Sequence, residues 1–132
     1  MKKLLWLDDI RNPLEGDWLV FSPIENPYDV IWVKSYKEFT NWISDNGLPD
    51  AICFDHDLGD NFTLRENAEI SDWFDLENNR EFDGYDCTKW LVEYCIVRDL
   101  DVPKYNIQSA NPVGKENING LLESYRKHRL HL

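Results

Sequence analysis

Apolar runs and amphipathic stretches take turns along the chain. "KLLWLDD" (Lys3–Asp9) is a continuous apolar run closed by acids, and predicts a strand buried on both faces, as in a parallel sheet. After Asn12-Pro13, residues 14–29 hold two prolines and only a short apolar run; they predict an irregular connection with room for a short strand. "VIWVKS" (Val30–Ser35) predicts the second strand. Ser35 with Glu38 three positions on is a capping-box pattern. Tyr36, Phe39, Trp42 and Ile43 then share a helical face, and Asn46-Gly47 is a stop signal. "AICFD" (Ala51–Asp55) predicts the third strand. In "DGYDCTKWLVEYCIV", Cys87, Trp90, Leu91, Tyr94 and Cys95 recur at helical spacing. A fourth, shorter strand is expected at about Tyr105–Ser109. A closing helix follows, with Ile118, Leu121, Leu122 and Tyr125 on one face and Arg126, Lys127 and Arg129 at its C-terminal end, where cations suit the helix dipole.

Strands alternating with helices imply an α/β fold with a parallel sheet of about four strands. Such sheets bind ligands beyond the carboxyl ends of their strands, where the strand order switches direction. Three of the four expected strands end on polar clusters: Asp8-Asp9 with Arg11, Asp55-His56-Asp57, and Ser109 with Asn111. If strands one, three and four are neighbours, these clusters share one rim.

Residues 60–83 interrupt the pattern. They carry eight acids against two arginines and read as an insertion or long loop, with a short helix around Trp73 and Phe74. Much of the net charge of −11 lies there. That charge argues against a general nucleic-acid binder, which needs a basic face, and against docking on anionic lipid. It leaves room for a small anionic ligand, because one local cation reverses the field at a site. The segment itself is a possible surface for a basic protein partner. With 132 residues, 42% of them hydrophobic, the chain is expected to fold as one domain, 1–132. Cys53, Cys87 and Cys95 lack C-x-x-C spacing and read as buried reduced thiols of a cytoplasmic protein. The N-terminal apolar run is too short for a signal peptide or a membrane span.

The rim clusters carry the candidate chemistry, and each has a plainer structural reading. Asp8 and Asp9 are either solvated strand-end acids or, with Asp55, ligands for a hard divalent cation, Mg2+ or Mn2+, that relieves their mutual repulsion. Arg11 is a surface residue or a bidentate phosphate clamp. His56 props a neighbouring carboxylate or acts as general acid/base, and Asp57 caps a turn or shares that role. Ser109 and Asn111 are turn residues or phosphate donors. Gly114 and Lys115 stand near a helix N-terminus, where free N–H groups favour an anion.

The arrangement resembles the receiver domain of two-component response regulators: an acid pair after strand one ("LDD"), an acceptor aspartate after strand three (Asp55 in "CFD") and a hydroxyl residue after strand four (Ser109). It departs in offering no fifth strand with its lysine, no later helix and no evident first crossover helix. Four motifs in order, "LDDIRNP", "FDHDLG", "DGYDCTKWLVEY" and "SANPVGKENI", resemble more closely the cyclic-phosphate processing receiver domain family. The resemblance implies a receiver-like (flavodoxin-like) sheet and action on a cyclic phosphate-bearing nucleotide. Members often carry His before the Ser of the fourth motif, where this chain has Gln108. A metal-dependent phosphoesterase is therefore expected, with Asp55, His56 and Asp57 catalytic, Arg11, Ser109, Asn111 and Lys115 binding phosphate, and Asp8, Asp9 and Asp55 holding the metal. In a covalent variant Asp55 is the nucleophile. The alternatives are a non-catalytic module that binds a phosphorylated ligand or accepts a phosphoryl group on Asp55, and an acidic protein that works through residues 60–83.

Overall fold

The computed structural model describes residues 1–55, 74–75, 80–108 and 111–130. Four parallel strands, β1 (Lys2–Leu7), β2 (Tyr28–Val33), β3 (Ala51–Phe54) and β6 (Lys104–Ile107), form one sheet in the order β2-β1-β3-β6. This is the receiver-like, flavodoxin-like arrangement. The chain passes from β1 to β2 on one side and returns past β1 to β3 on the other, so the order reverses between β1 and β3.

Alternation along each strand sorts the side chains onto two faces. Leu5, Leu7, Ile52, Phe54 and Ile107 face the helices. There they meet Phe39 and Ile43 of α1 (Tyr36–Asn46), Cys87, Leu91, Val92 and Cys95 of α2 (Gly84–Arg98), and Ile118, Leu122 and Tyr125 of α3 (Pro112–Leu130). Leu4, Trp6, Ala51 and Cys53 face the other way, against Trp18, Leu19, Phe21 and Ile24. A single 3-10 turn, Trp18–Phe21, thus covers the face that a first crossover helix would otherwise cover. Residues Leu4 to Leu7 are fully buried, as a strand covered on both sides requires.

Caps fix the helix starts. Ser35 accepts from the Glu38 amide at 3.1 Å, one half of the expected box. Asp83 and Asp86 form a complete reciprocal box at α2. Gly47 ends α1 at φ 84°, a conformation only glycine adopts without strain.

Several boundaries differ from the sequence pattern; β3 ends at Phe54 rather than Asp55, and β6 runs Lys104–Ile107 rather than Tyr105–Ser109. β1 ends at Leu7 rather than Asp9, because Asp8 Oδ1 accepts from the amides of Ile10 (3.0 Å) and Arg11 (2.9 Å) and turns the chain. β2 begins two residues early and releases Ser35 to cap α1. The helix expected around Trp73 and Phe74 is corrected at Phe74: Phe74–Asp75 (β4) pairs antiparallel with Arg80–Glu81 (β5). An aromatic residue suits a strand at least as well as a helix, and Trp73 lies outside the described residues. Phe82, which follows β5, stacks on Tyr36 with ring centroids 4.2 Å apart and ties this hairpin to the start of α1. Among the described residues no helix is long and apolar enough to cross a membrane.

Candidate functional site

The hydrogen-bond ladder runs one residue past three strands. Asp8 donates its N–H to Val33 O (3.1 Å), Asp55 to Leu7 O (3.0 Å) and Gln108 to Phe54 O (2.9 Å). The register pairs Leu7 with Phe54 and Phe54 with Ile107, so Asp8, Asp55 and Gln108 form the next row across three adjacent strands. Alternation turns all three to the same face as Trp6 and Cys53. The row stands at the carboxyl ends of β1 and β3, where the strand order reverses.

Asp8, Asp9 and Asp55 are buried, and each offers a carboxylate oxygen within 4.8 Å of the others. Three carboxylates this close repel strongly when desolvated. Arg11 supplies opposing charge: its Nη1 lies 3.1 Å from Asp8 Oδ2 and 3.8 Å from Asp55 Oδ2. Burial works to lower the Arg11 pKa. The hydrogen bond to Asp8 and the charges of Asp8, Asp55 and Asp9 outweigh that effect and raise it above its ordinary value. Among the described residues one guanidinium faces three carboxylates, an excess of negative charge that a bound cation would offset. A cluster of hard carboxylate oxygens suits Mg2+ or Mn2+ rather than a thiolate-seeking metal.

Three indoles hold this loop in place. Trp32 Nε1 donates to Asp8 O at 2.7 Å, and Trp6 Nε1 donates to Arg11 O at 3.0 Å. The Trp18 ring lies 5.1 Å from the Arg11 guanidinium carbon. A buried indole N–H seeks an acceptor, and in Trp6 and Trp32 that need fixes the backbone from which Asp8 and Arg11 project. Sequence reasoning missed these supports. Its available signal was parity, since Trp6 stands two residues before Asp8 on the same strand face.

Gln108, which stands where members of the family resembled often carry His, ties the rim together. Its Nε2 donates at 3.0 Å to Leu7 O, the carbonyl that also receives the Asp55 amide. Its Oε1 is buried and has no hydrogen-bond partner among the described residues.

The fourth motif divides. Asn111 caps α3, accepting from Gly114 N–H at 3.0 Å through Oδ1. The anion-binding role expected at this helix start is therefore narrowed. Pro112 has no N–H, the Gly114 N–H is bound by the cap, and the Lys115 N–H is bound by Asn111 O at 2.9 Å. The Lys115 side chain is exposed and lines a cavity of about 500 Å3 between β6 and α3, with Tyr105, Asn119 and Arg126. That cavity is distinct from the acidic row. The structure thus gathers Asp8, Asp9, Asp55 and Arg11, and sets Lys115 on the flank. His56, Asp57 and Ser109 lie outside the described residues.

A family model described as the cyclic-phosphate processing receiver domain matches residues 3–124. No curated protein and no solved structure gives a match.

Proposed function

The chain belongs to the cyclic-phosphate processing receiver domain family, and from that premise we propose that it is a metal-dependent phosphoesterase that opens the cyclic phosphodiester of a nucleotide. The observation that carries the proposal is the approach of Asp8, Asp9 and Asp55 to within 4.8 Å, beside Arg11, at the point where the strand order reverses.

In this reading Asp8, Asp9 and Asp55 hold Mg2+ or Mn2+. When bound, the cation polarises the phosphoryl group and offsets the negative charge of the transition state. Arg11 is anchored by Asp8 and presents its remaining N–H donors to a phosphate oxygen, a geometry that suits guanidinium better than ammonium. Ser109 and Asn111, which follow β6 in the chain, would donate to the phosphate oxygens, and Lys115, on the first turn of α3, would add positive charge from the flank. Asp55 keeps its charge toward the cation, while His56 or Asp57, next in the chain, moves the proton. The overall step adds water to phosphorus and breaks one ring P–O bond. A water proton passes to the departing alkoxide, giving an acyclic monoester. The overall acidity fits a small ligand that meets local cations, and disfavours duplex nucleic acid or membrane as a partner.

The test is incubation with a panel of 2′,3′- and 3′,5′-cyclic nucleotides, with products followed by phosphorus NMR. Ring-opened monoester is expected with Mn2+ and none with excess chelator. No turnover of any member, in protein shown to bind Mn2+, overturns the enzyme reading in favour of a phosphate-binding module.

A further inference from the structure

We propose that Gln108 belongs to the cation site, where its Oε1 supplies a neutral oxygen donor beside the carboxylates of Asp8, Asp9 and Asp55. This inference rests on the cation reading above and adds to it a residue that is neither acidic nor part of a recognised metal motif.

The argument starts from the amide. Gln108 is 5% exposed. Its orientation is fixed by chemistry: Leu7 O is an acceptor only, so the atom that meets it at 3.0 Å must be the NH2 group. The two amide heteroatoms share one carbon, which keeps Oε1 close to the Leu7–Asp8 peptide. Register and alternation put Gln108 in one row with Asp8 and Asp55, on one face. A buried amide oxygen with no partner among the described residues is costly, because its lost hydration is not replaced. The protein accepts that cost in the same row that carries the Asp8 and Asp55 carboxylates, next to Asp55. Gln carbonyl oxygens are common ligands for hard cations, and a neutral donor adds coordination without adding repulsion.

Structural support alone is the competing explanation: Gln108 would serve only by holding Leu7 O, which orients Asp8 and Asp55. Two substitutions separate the roles. Gln108→Leu removes donor and acceptor together. Gln108→Glu loses the donor to Leu7 O but keeps an oxygen and adds charge toward a cation.

The experiment titrates the full-length chain with Mn2+ and reads free Mn2+ by electron paramagnetic resonance. Circular dichroism checks that each variant is folded. The wild type is expected to bind. Gln108→Leu is expected to weaken binding by about tenfold or more, the range seen when supporting contacts of metal sites are removed. Gln108→Glu is expected to bind at least as tightly as the wild type. Unchanged affinity in Gln108→Leu overturns the proposal. So does a Gln108→Glu variant weakened as far as Gln108→Leu, because loss of the Leu7 contact then explains both. If Gln108→Leu does not fold, Gln108→Asn draws the amide oxygen back by one methylene and serves in its place, with the same expected loss and the same contradiction by equal affinity. A wild-type chain that takes up no Mn2+ overturns the cation reading itself and this inference with it, and is distinguished by that first titration.

Discussion

Arg11 places one positive charge among three buried carboxylates, so its removal exposes what the others cost. Arg11→Met leaves Asp8 and Asp55 without their guanidinium partner. Hydrogen bonds to charged groups contribute roughly 1.5–3 kcal/mol, and loss of about 2 kcal/mol is expected in urea unfolding without metal. Added Mn2+ should recover part of that loss, because a cation can then take over the neutralising role. An unchanged urea midpoint would show that Arg11 does not balance the cluster. The acidic residues and Arg11 were legible in the sequence, because a buried strand that ends on two acids poses an electrostatic problem by itself. Trp32 and Gln108 were not. The acceptor of the Trp32 indole is the carbonyl of Asp8, twenty-four residues away, and that of Gln108 is Leu7, one hundred and one residues away. Only the pairing of β1 with β2, and of β3 with both β1 and β6, brings those groups together.

At the scale of elements, Asn111 does double duty in this account, and the two duties can be separated. Its Oδ1 caps α3, so Asn111→Ala should cost about 1 kcal/mol of stability in urea unfolding. Asn111→Asp keeps an acceptor and should hold wild-type stability. It also sets a negative charge where a phosphate is proposed to sit, and should weaken binding of a cyclic nucleotide measured by calorimetry. An Asn111→Asp variant with unchanged ligand affinity would reduce Asn111 to a cap alone. The helices were readable because their apolar spacing matches 3.6 residues per turn: Ile118, Leu122 and Tyr125 of α3 are all buried, as are Cys87, Leu91 and Cys95 of α2. Strand ends were less readable. β1 stops where the Asp8 side chain binds two backbone amides, and apolarity does not register that competition. The β4–β5 pair was missed because two-residue strands leave no period to detect.

Across the whole molecule, the two sheet faces differ in what covers them, and free, buried thiols lie on both sides. Burial pushes Cys53 up to about 12 and raises Cys87 as well. Burial also lifts Cys95 to about 11, with Asp101 adding to the rise and Arg129 and Arg98 opposing it. Unfolded thiols ionise near about 8.5. The folded state therefore binds more protons than the unfolded state above that pH. The contribution of the thiols to stability is full below about pH 8.5 and is lost as pH rises through the folded values. Urea midpoints should fall between pH 8 and pH 10.5. A small alkylating reagent at pH 8 should spare all three cysteines until urea is added; rapid labelling of the native protein would contradict the packing. The parallel sheet was legible from the alternation of elements, but its strand order was not: that strands one, three and four are neighbours stood only as the condition for a shared rim, and long-range pairing in the order β2-β1-β3-β6 meets it. The central claim is that the row closed by Asp8 and Asp55 is a cation-dependent cyclic-phosphate site. Its most direct test is the rate of ring opening of a cyclic nucleotide as Mn2+ is titrated, in the wild type and in Asp55→Asn. The account predicts a saturable, chelator-sensitive rate in the wild type and a loss on the order of a hundredfold or more in Asp55→Asn, the scale of removing one charge-stabilising group. Equal rates in the two proteins, or a rate indifferent to Mn2+, would contradict it.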